Sequence, residues 1–279
     1  MTTPVAEWNS ETHTGTLTPT LPSNPTGEIS RSRDGHKVMA GTIYVGTAGW
    51  SIPRASAHRC ASEGTYLQRY ARVFPCAEIN SSFYKAHMAT TYAKWAASAP
   101  DQFRFAVKLP RSITHEHQLR RSRAPFERFL AETSGLGCRR GPFLVQLPPS
   151  FDFDARAAAS FFEMVRGRYE GTVVCEPRHP AWFGARADAL MNRYHVARVA
   201  ADPAITDRSS APGGWTGVAY FRLHGAPRTY WSRYGAADLS RLGTLVRQIA
   251  ESVDVWCVFD NTASGAALEN AWQLQQFLR

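Results

Sequence analysis

From Thr42 onward, eight short runs of apolar, β-branched or aromatic residues recur along this 279-residue chain, each followed by a more polar stretch. They are TIYVGTA (42–48), AEINSS (77–82), FRFAVK (103–108), FLVQLP (143–148), TVVCEP (172–177), VARVAAD (196–202), GVAYFRLH (217–224) and VWCVFDN (255–261). Most are continuously apolar rather than alternating, as strands covered on both faces must be. Helical periodicity fills most of the gaps. In EGTYLQRYARVF, residues Tyr66, Leu67, Tyr70, Val73 and Phe74 fall on one helical face. TTYAKWAAS, PFERFLAET, ARAAASFFEMV, ARADALMNRY, DLSRLGTLVRQIAES and GAALENAWQLQQFL repeat the pattern, and only PAITDRSSAPGGW, after the sixth run, reads as loop. Eight strands alternating with helices specify an α/β chain folded as a single (β/α)8 TIM-like barrel. A doubly wound open sheet uses the same alternation, but no glycine-rich dinucleotide fingerprint follows the first run.

The segment ahead of the barrel is different in kind. Residues 1–40 are rich in Thr, Ser, Pro and Gly and poor in aliphatic side chains, so they predict a disordered N-terminal tail before a barrel domain at 41–279. Met39 stands just before the first run and is a second candidate start. No window approaches the roughly 18 uninterrupted apolar residues of a membrane span, and the first residues lack the basic start and apolar stretch of a leader. The five cysteines (Cys60, Cys76, Cys138, Cys175, Cys257) are scattered, with no CxxC pair. That pattern predicts reduced core thiols in a cytoplasmic protein without a membrane partner.

The net charge of +9 lies wholly beyond residue 41, because the first 41 residues carry three basic against four acidic side chains. Such a charge favours an anionic or phosphorylated small ligand, or nucleic acid. Only four of the 32 basic residues are lysines (Lys37, Lys85, Lys94, Lys108). An arginine bias of that size also follows from gene base composition, so charge alone does not select between the two.

Barrel enzymes place their chemistry at the carboxyl ends of the strands. At those ends this chain carries Glu78 and Asn80, leading to Tyr84; Lys108, followed by Arg111, His115 and His117; and Gln146. Further along come Glu176 with Arg178, His179 and Trp182; Asp202; Arg222 and His224; and Asp260 with Asn261. The first run ends instead in Gly49-Trp50. Polar groups near the same end of seven consecutive strands converge on one point. Glu78, Lys108, His115, Glu176 and His224 are the candidate catalytic residues. Glu78 and Glu176 each fit a general base or metal ligand, with an ion pair to Arg222 or Lys108 as the structural alternative. Lys108 fits an anion clamp, an electrophile, a Schiff-base nucleophile or a glutamate partner, and His115 an acid or base. Trp50, Asn80, Tyr84, Gln146, Arg178, His179, Trp182, Asp202, Arg222, Tyr230, Tyr234, Asp260 and Asn261 are the candidate substrate contacts, the aromatics suiting either ring stacking or core plugging.

GTAGWS, AEINSSFY, FRFAVKLPRSITHEHQL, FLVQLPPSF, CEPRHPAWF, YFRLHG with YWSRY, and FDNTASGAALENA together resemble the YecE-like family, domain of unknown function 72, over roughly residues 43–278. The resemblance implies a TIM barrel and leaves the reaction open. Three functions stay in view. One is an enzyme (a hydrolase, lyase or isomerase) using acid–base chemistry on a small anionic or phosphorylated, ring-bearing substrate. Another is a metal-dependent phosphodiester hydrolase acting on nucleic acid, with ligands drawn from Glu78, Glu176, Asp202, His179, His224 and Asp260. The third is a non-catalytic nucleic-acid adaptor using Arg111, Arg120, Arg121 and Arg123. The sequence names no cofactor, and Lys108 and Arg222 would compete with a metal for the same carboxylates.

Overall fold

In the computed structural model, which describes residues 40–279, every one of the eight apolar runs forms strand. The strands are β1 (Ile43–Ala48), β2 (Cys76–Ile79), β3 (Arg104–Lys108), β4 (Arg140–Gln146), β5 (Val173–Glu176), β6 (Val196–Arg198), β7 (Ala200–Asp202), β8 (Gly213–Gly214), β9 (Val218–Leu223) and β10 (Asp254–Phe259). Their order in the sheet is β7-β9-β10-β1-β2-β3-β4-β5-β6-β8. All pairings are parallel except that of β6 with β8. β6 and β7 are two halves of one apolar run, separated by Val199, whose N–H donates to the Cys175 carbonyl at 2.8 Å. The first half pairs with β5 and the second with β9, so the two ends of the sheet meet inside a single stretch of chain.

Among the described residues seven α-helices cover the outside: α1 (Tyr66–Ala71), α2 (Ala89–Ala97), α3 (Arg123–Thr133), α4 (Ala155–Arg166), α5 (Ala185–Arg193), α6 (Ala236–Ala250) and α7 (Ala266–Leu278). Helix α1 is held by a capping box between Thr65 and Gln68, and α4 by the Asp154 carboxylate at its N-terminus. α1 is shorter than its periodicity predicts. Tyr66, expected on its buried face, is 60% exposed, because the helix ends at Ala71 and packs through Leu67 and Tyr70. The stretch read as loop holds a 3-10 turn (Asp207–Ser210) and the two-residue β8, but no α-helix. Arg198 pins it by donating to the Arg208 and Ala211 carbonyls at 2.8 and 3.3 Å.

Side chains that alternate along each strand divide two cores. The outward set, with Phe105, Phe143 and Val255 among its buried members, packs against helix side chains that include Tyr70, Phe126 and Phe161. The inward set (Cys76, Ala106, Leu144, Val174, Ala197, Val199, Val218, Tyr220, Trp256 and Val258) fills the barrel. The interior is therefore packed up to the level at which polar side chains take over.

The tail drawn over residues 1–40 lies, Ala40 apart, outside the described residues. Cys60, Cys76, Cys175 and Cys257 are buried and unpaired as expected, whereas Cys138 is exposed on the turn after α3 and departs from the core reading. Among the described residues no helix is long and apolar enough to cross a membrane.

Candidate functional site

The inward series does not stop at the apolar layer. One step further along the same strands come Glu78 (β2), Lys108 (β3), Gln146 (β4), Glu176 (β5) and Arg222 (β9), with His224 and Asp260 just beyond β9 and β10. Register places them together: Gln146 pairs with Glu176, and Arg222 with Val258, two residues before Asp260. All seven are buried. Glu78, Glu176, Arg222 and His224 have no exposed surface, while Asp260, Lys108 and Gln146 retain 6, 7 and 8%.

Arg222 is the hub. Its Nη2 lies 2.6 Å from Glu78 Oε1 and 3.0 Å from Asp260 Oδ2, its Nε donates to Glu78 Oε2 at 3.0 Å, and its Nη1 donates to Glu176 Oε2 at 3.0 Å. Three carboxylates thus converge on one guanidinium whose planar fork suits such bidentate contacts. Tyr220, two residues earlier on the same face, donates its hydroxyl to Glu78 Oε2 at 3.0 Å. Glu176 also accepts from Gln146 Nε2 at 3.2 Å and pairs with Arg178. Burial alone would push the Glu176 carboxyl up, but Arg178, Arg222 and His224 outweigh it and hold it well below the usual carboxylate range. Asp260 is held down the same way by Arg222, His224 and Lys108 against its own burial.

His224 Nε2 faces two guanidinium groups, those of Arg178 and Arg222. The same nitrogen lies 3.1 Å from Glu176 Oε1, while Nδ1 is 3.1 Å from Asp260 Oδ2 though out of line for a well-directed hydrogen bond. Gly225 then turns the chain at φ +89°, and a Cβ there would stand 2.5 Å from the Ser232 carbonyl oxygen.

Lys108 is the exception in this network. Its ammonium lies 4.1 Å from the centre of the Phe83 ring and forms no ion pair with any described residue. Burial and the neighbouring Arg222 lower it to about 8, against the pull of Glu78, Glu176 and Asp260. His115 packs edge-on to the same ring, its centre 4.9 Å from that of Phe83, with Nδ1 2.9 Å from Thr114 Oγ1. Burial, Lys108 and Arg111 lower it to about 4, so the imidazole is neutral at pH 7. Tyr230 crosses the His224 ring at 5.5 Å and is 44% exposed, and Tyr84, 77% exposed, stands on the edge of Phe83. Asn80 continues the inward series of β2, and its Oδ1 is buried without a hydrogen-bond partner.

Five predicted contacts lie elsewhere. Asn261 follows the inward-facing Asp260 and so faces out, donating to the Ser232 carbonyl at 2.9 Å and to Asn270 Oδ1 of α7 at 3.0 Å. Asp202 lies one residue past the inward position of Ala201 and accepts from the Tyr234 hydroxyl at 2.5 Å, so these two satisfy each other. Trp182 is wholly buried, with Nε1 donating to the Phe151 carbonyl at 2.9 Å and its ring against Phe151 and Phe153. Trp50 packs edge-on to Trp95 and Phe105 in the outer core. A sixth, His179, stays at the rim, accepting from the Ala181 N–H of its own turn at 3.3 Å. The sequence reading missed Tyr220 and Phe83. Tyr220 was legible from its two-residue spacing to Arg222. Phe83 lies in a 3-10 turn, where no strand periodicity applies.

Two other features bear on the alternatives. Arg111, Arg120 and Arg123 pair with Glu116, Asp154 and Glu127 at 3.6, 2.6 and 3.7 Å, and Arg121 alone of that basic run has no ion pair among the described residues. A cavity of about 320 Å³ lies at the opposite end of the barrel, but the Arg166 guanidinium that lines it is spent on the carbonyls of Tyr169, Gly171, Tyr194 and His195.

Comparison with known proteins agrees with this architecture. Residues 44–279 match the family described as protein of unknown function DUF72. The chain is 32% identical over 153 residues to the UPF0759 protein YecE of Escherichia coli K12, a match spanning 54% of each chain, and so about half the length of that relative. It is 23% identical to the UPF0759 protein YunF of Bacillus subtilis 168, over 85% of this chain and 94% of that one. Two solved structures share the fold. A DUF72 family protein of Enterococcus faecalis V583 superposes with a TM-score of 0.74 at 20% identity, covering 85% of this chain and 95% of the other. One from Thermotoga maritima MSB8 gives 0.71 at 25%, covering 85% and 99%. The chain belongs to the DUF72 family.

Proposed function

We propose that this protein is an enzyme that uses acid–base chemistry on a small anionic, ring-bearing substrate held at the carboxyl end of the barrel. The observation that carries the reading is Lys108, a nearly buried ammonium at the mouth that no carboxylate neutralises directly. Leaving a buried cation without a partner costs several kcal/mol unless a ligand supplies the charge. In this reading Lys108 and Arg178, whose buried Nε has no acceptor, take the anionic group. His115, neutral at pH 7, and Lys108 exchange protons with the substrate. Tyr84 and Tyr230 flank the mouth where a ring would stack.

Glu78, Glu176, Asp260 and His224 take a different part from the one their residue types first suggest. Glu78 is held by Arg222 and Tyr220, Glu176 by Arg222, Gln146 and Arg178, and Asp260 by Arg222, with His224 enclosed among them, so they orient the mouth and set its field rather than touch substrate. The same commitment weighs against a metal, since the guanidinium occupies the oxygens a cation would need. Free thiols throughout the described residues support a reducing, cytoplasmic setting. The test is a thermal-shift titration with ribose 5-phosphate and with inorganic phosphate, on the wild type and on Lys108→Met. A dose-dependent rise in the wild type that the variant loses is the expected result. Equal responses in both, or none in either, would remove the mouth as an anion site.

A further inference from the structure

Lys108 carries a second property that anion binding does not require. Of the three lysines among the described residues, Lys85 and Lys94 are exposed, and only Lys108 projects into the barrel mouth. Its amine rests on the apolar face of Phe83, and the backbone beneath is fixed by the Ser82 hydroxyl, which donates to the Lys108 carbonyl at 2.6 Å. His115 touches the same ring, and its Nδ1 is engaged with Thr114, leaving Nε2 as its free nitrogen. Arg178 follows β5, two strands away, with β4 between. Two strand spacings put the two backbones about 10 Å apart, with both long side chains in between.

We propose that Lys108 forms an imine with a small anionic aldehyde or ketone, with Arg178 taking the substrate's anionic group. This rests on the reading of the mouth as an anion site and names the substrate class for it. The neutral amine attacks the carbonyl carbon. A C–N bond forms, the C=O π pair moves to oxygen, and a proton passes from nitrogen to that oxygen, giving a carbinolamine. The nitrogen lone pair then forms C=N as the hydroxyl leaves with a proton, as water. Amine plus carbonyl becomes imine plus water, with no oxidant or reductant. His115, as neutral imidazole, relays the proton between nitrogen and oxygen. Arg222, Glu78, Glu176 and Asp260 surround the amine at longer range. The lowering to about 8 leaves about a quarter of the amine neutral at pH 7.5, where an ordinary lysine has on the order of a thousandth.

Reductive trapping tests this. The full chain is incubated at pH 7.5 with glyoxylate or with glycolaldehyde, an uncharged aldehyde of the same carbon number, in the presence of cyanoborohydride, and the adducts are mapped by peptide mass spectrometry. Lys108 is expected to be labelled at least tenfold faster than Lys85 or Lys94, and faster by glyoxylate than by glycolaldehyde. Arg178→Met should remove the preference for glyoxylate while leaving labelling by glycolaldehyde. Lys108→Arg, which keeps the charge, should leave only the slow labelling of the exposed lysines. Lys108 reacting no faster than those two would overturn the imine. If inorganic phosphate still stabilises the wild type and not Lys108→Met, that failure is confined to the imine. If phosphate has no effect either, the anion site falls with it.

Discussion

Glu176→Gln separates a supporting carboxylate from a reactive one. In the wild type Glu176 has no exposed surface and meets Arg222 Nη1 at 3.0 Å, Gln146 Nε2 at 3.2 Å, and Arg178. It is the only carboxylate that pairs with Arg178 among the described residues. An amide of the same shape offers one accepting oxygen and turns an NH2 group toward a guanidinium. One buried pair is broken and Arg178 loses its counter-charge, at a cost of about 3–5 kcal/mol. For a domain of this size that corresponds to a melting temperature lower by roughly 10 °C.

The pH dependence has a definite sign. Arg178, Arg222 and His224 depress the carboxyl despite its burial, so the folded protein binds the proton less readily than the unfolded chain. The stabilisation is complete above the ordinary carboxylate range and is lost as pH falls through the depressed value. Urea unfolding of wild type and variant, followed by tryptophan fluorescence, should show the widest gap near pH 7 and a narrowing gap below about pH 4. A gap under about 1 kcal/mol at pH 7, with no narrowing in acid, would refute the supporting role and return Glu176 to the candidates for direct chemistry.

Trp182→Ala should cost about 3–5 kcal/mol through the cavity it opens, measured by the same unfolding assay, with the phosphate response of the folded fraction unchanged. Anion affinity, read by calorimetric titration, should fall by up to about tenfold per pH unit as pH rises through 8 and Lys108 loses its proton. A flat profile from pH 7 to 9 would show that Lys108 does not meet the anion. Deleting residues 1–38 should leave the melting temperature of the barrel within a few degrees, because that segment has no apolar periodicity. A larger drop by calorimetry would move the domain boundary.

The barrel was legible because continuous apolar runs and helical periods alternate, and those signals are local. The depth of the polar layer was legible too, since Glu78, Lys108, Gln146, Glu176, Arg222, His224 and Asp260 all obey the two-residue alternation that sends side chains inward. The same alternation shows why Asn261 and Asp202 fail. Each lies one residue from an inward position, and proximity to a strand end does not substitute for parity. Trp182 and Trp50 fail for another reason: an aromatic in a connecting segment gives no periodic sign of whether it turns to the mouth or under a helix. An ion pair of Glu78 or Glu176 with Arg222 was among the alternatives, but the meeting of three carboxylates from β2, β5 and the end of β10 on one guanidinium was out of reach, because no local pattern encodes it. The solitary amine of Lys108 is likewise a property of what surrounds it.

Lysine is scarce in this chain, and that makes the central claim directly measurable. With only four lysines, protein labelled with 13C-lysine should give four ε-CH2 resonances by NMR. One of them, assigned by its loss in Lys108→Arg, should titrate near pH 8 and should alone shift when phosphate is added at pH 7. If all four titrate together above pH 10 and none responds to phosphate, the mouth of the barrel does not hold a free, perturbed amine, and the account of this site is wrong.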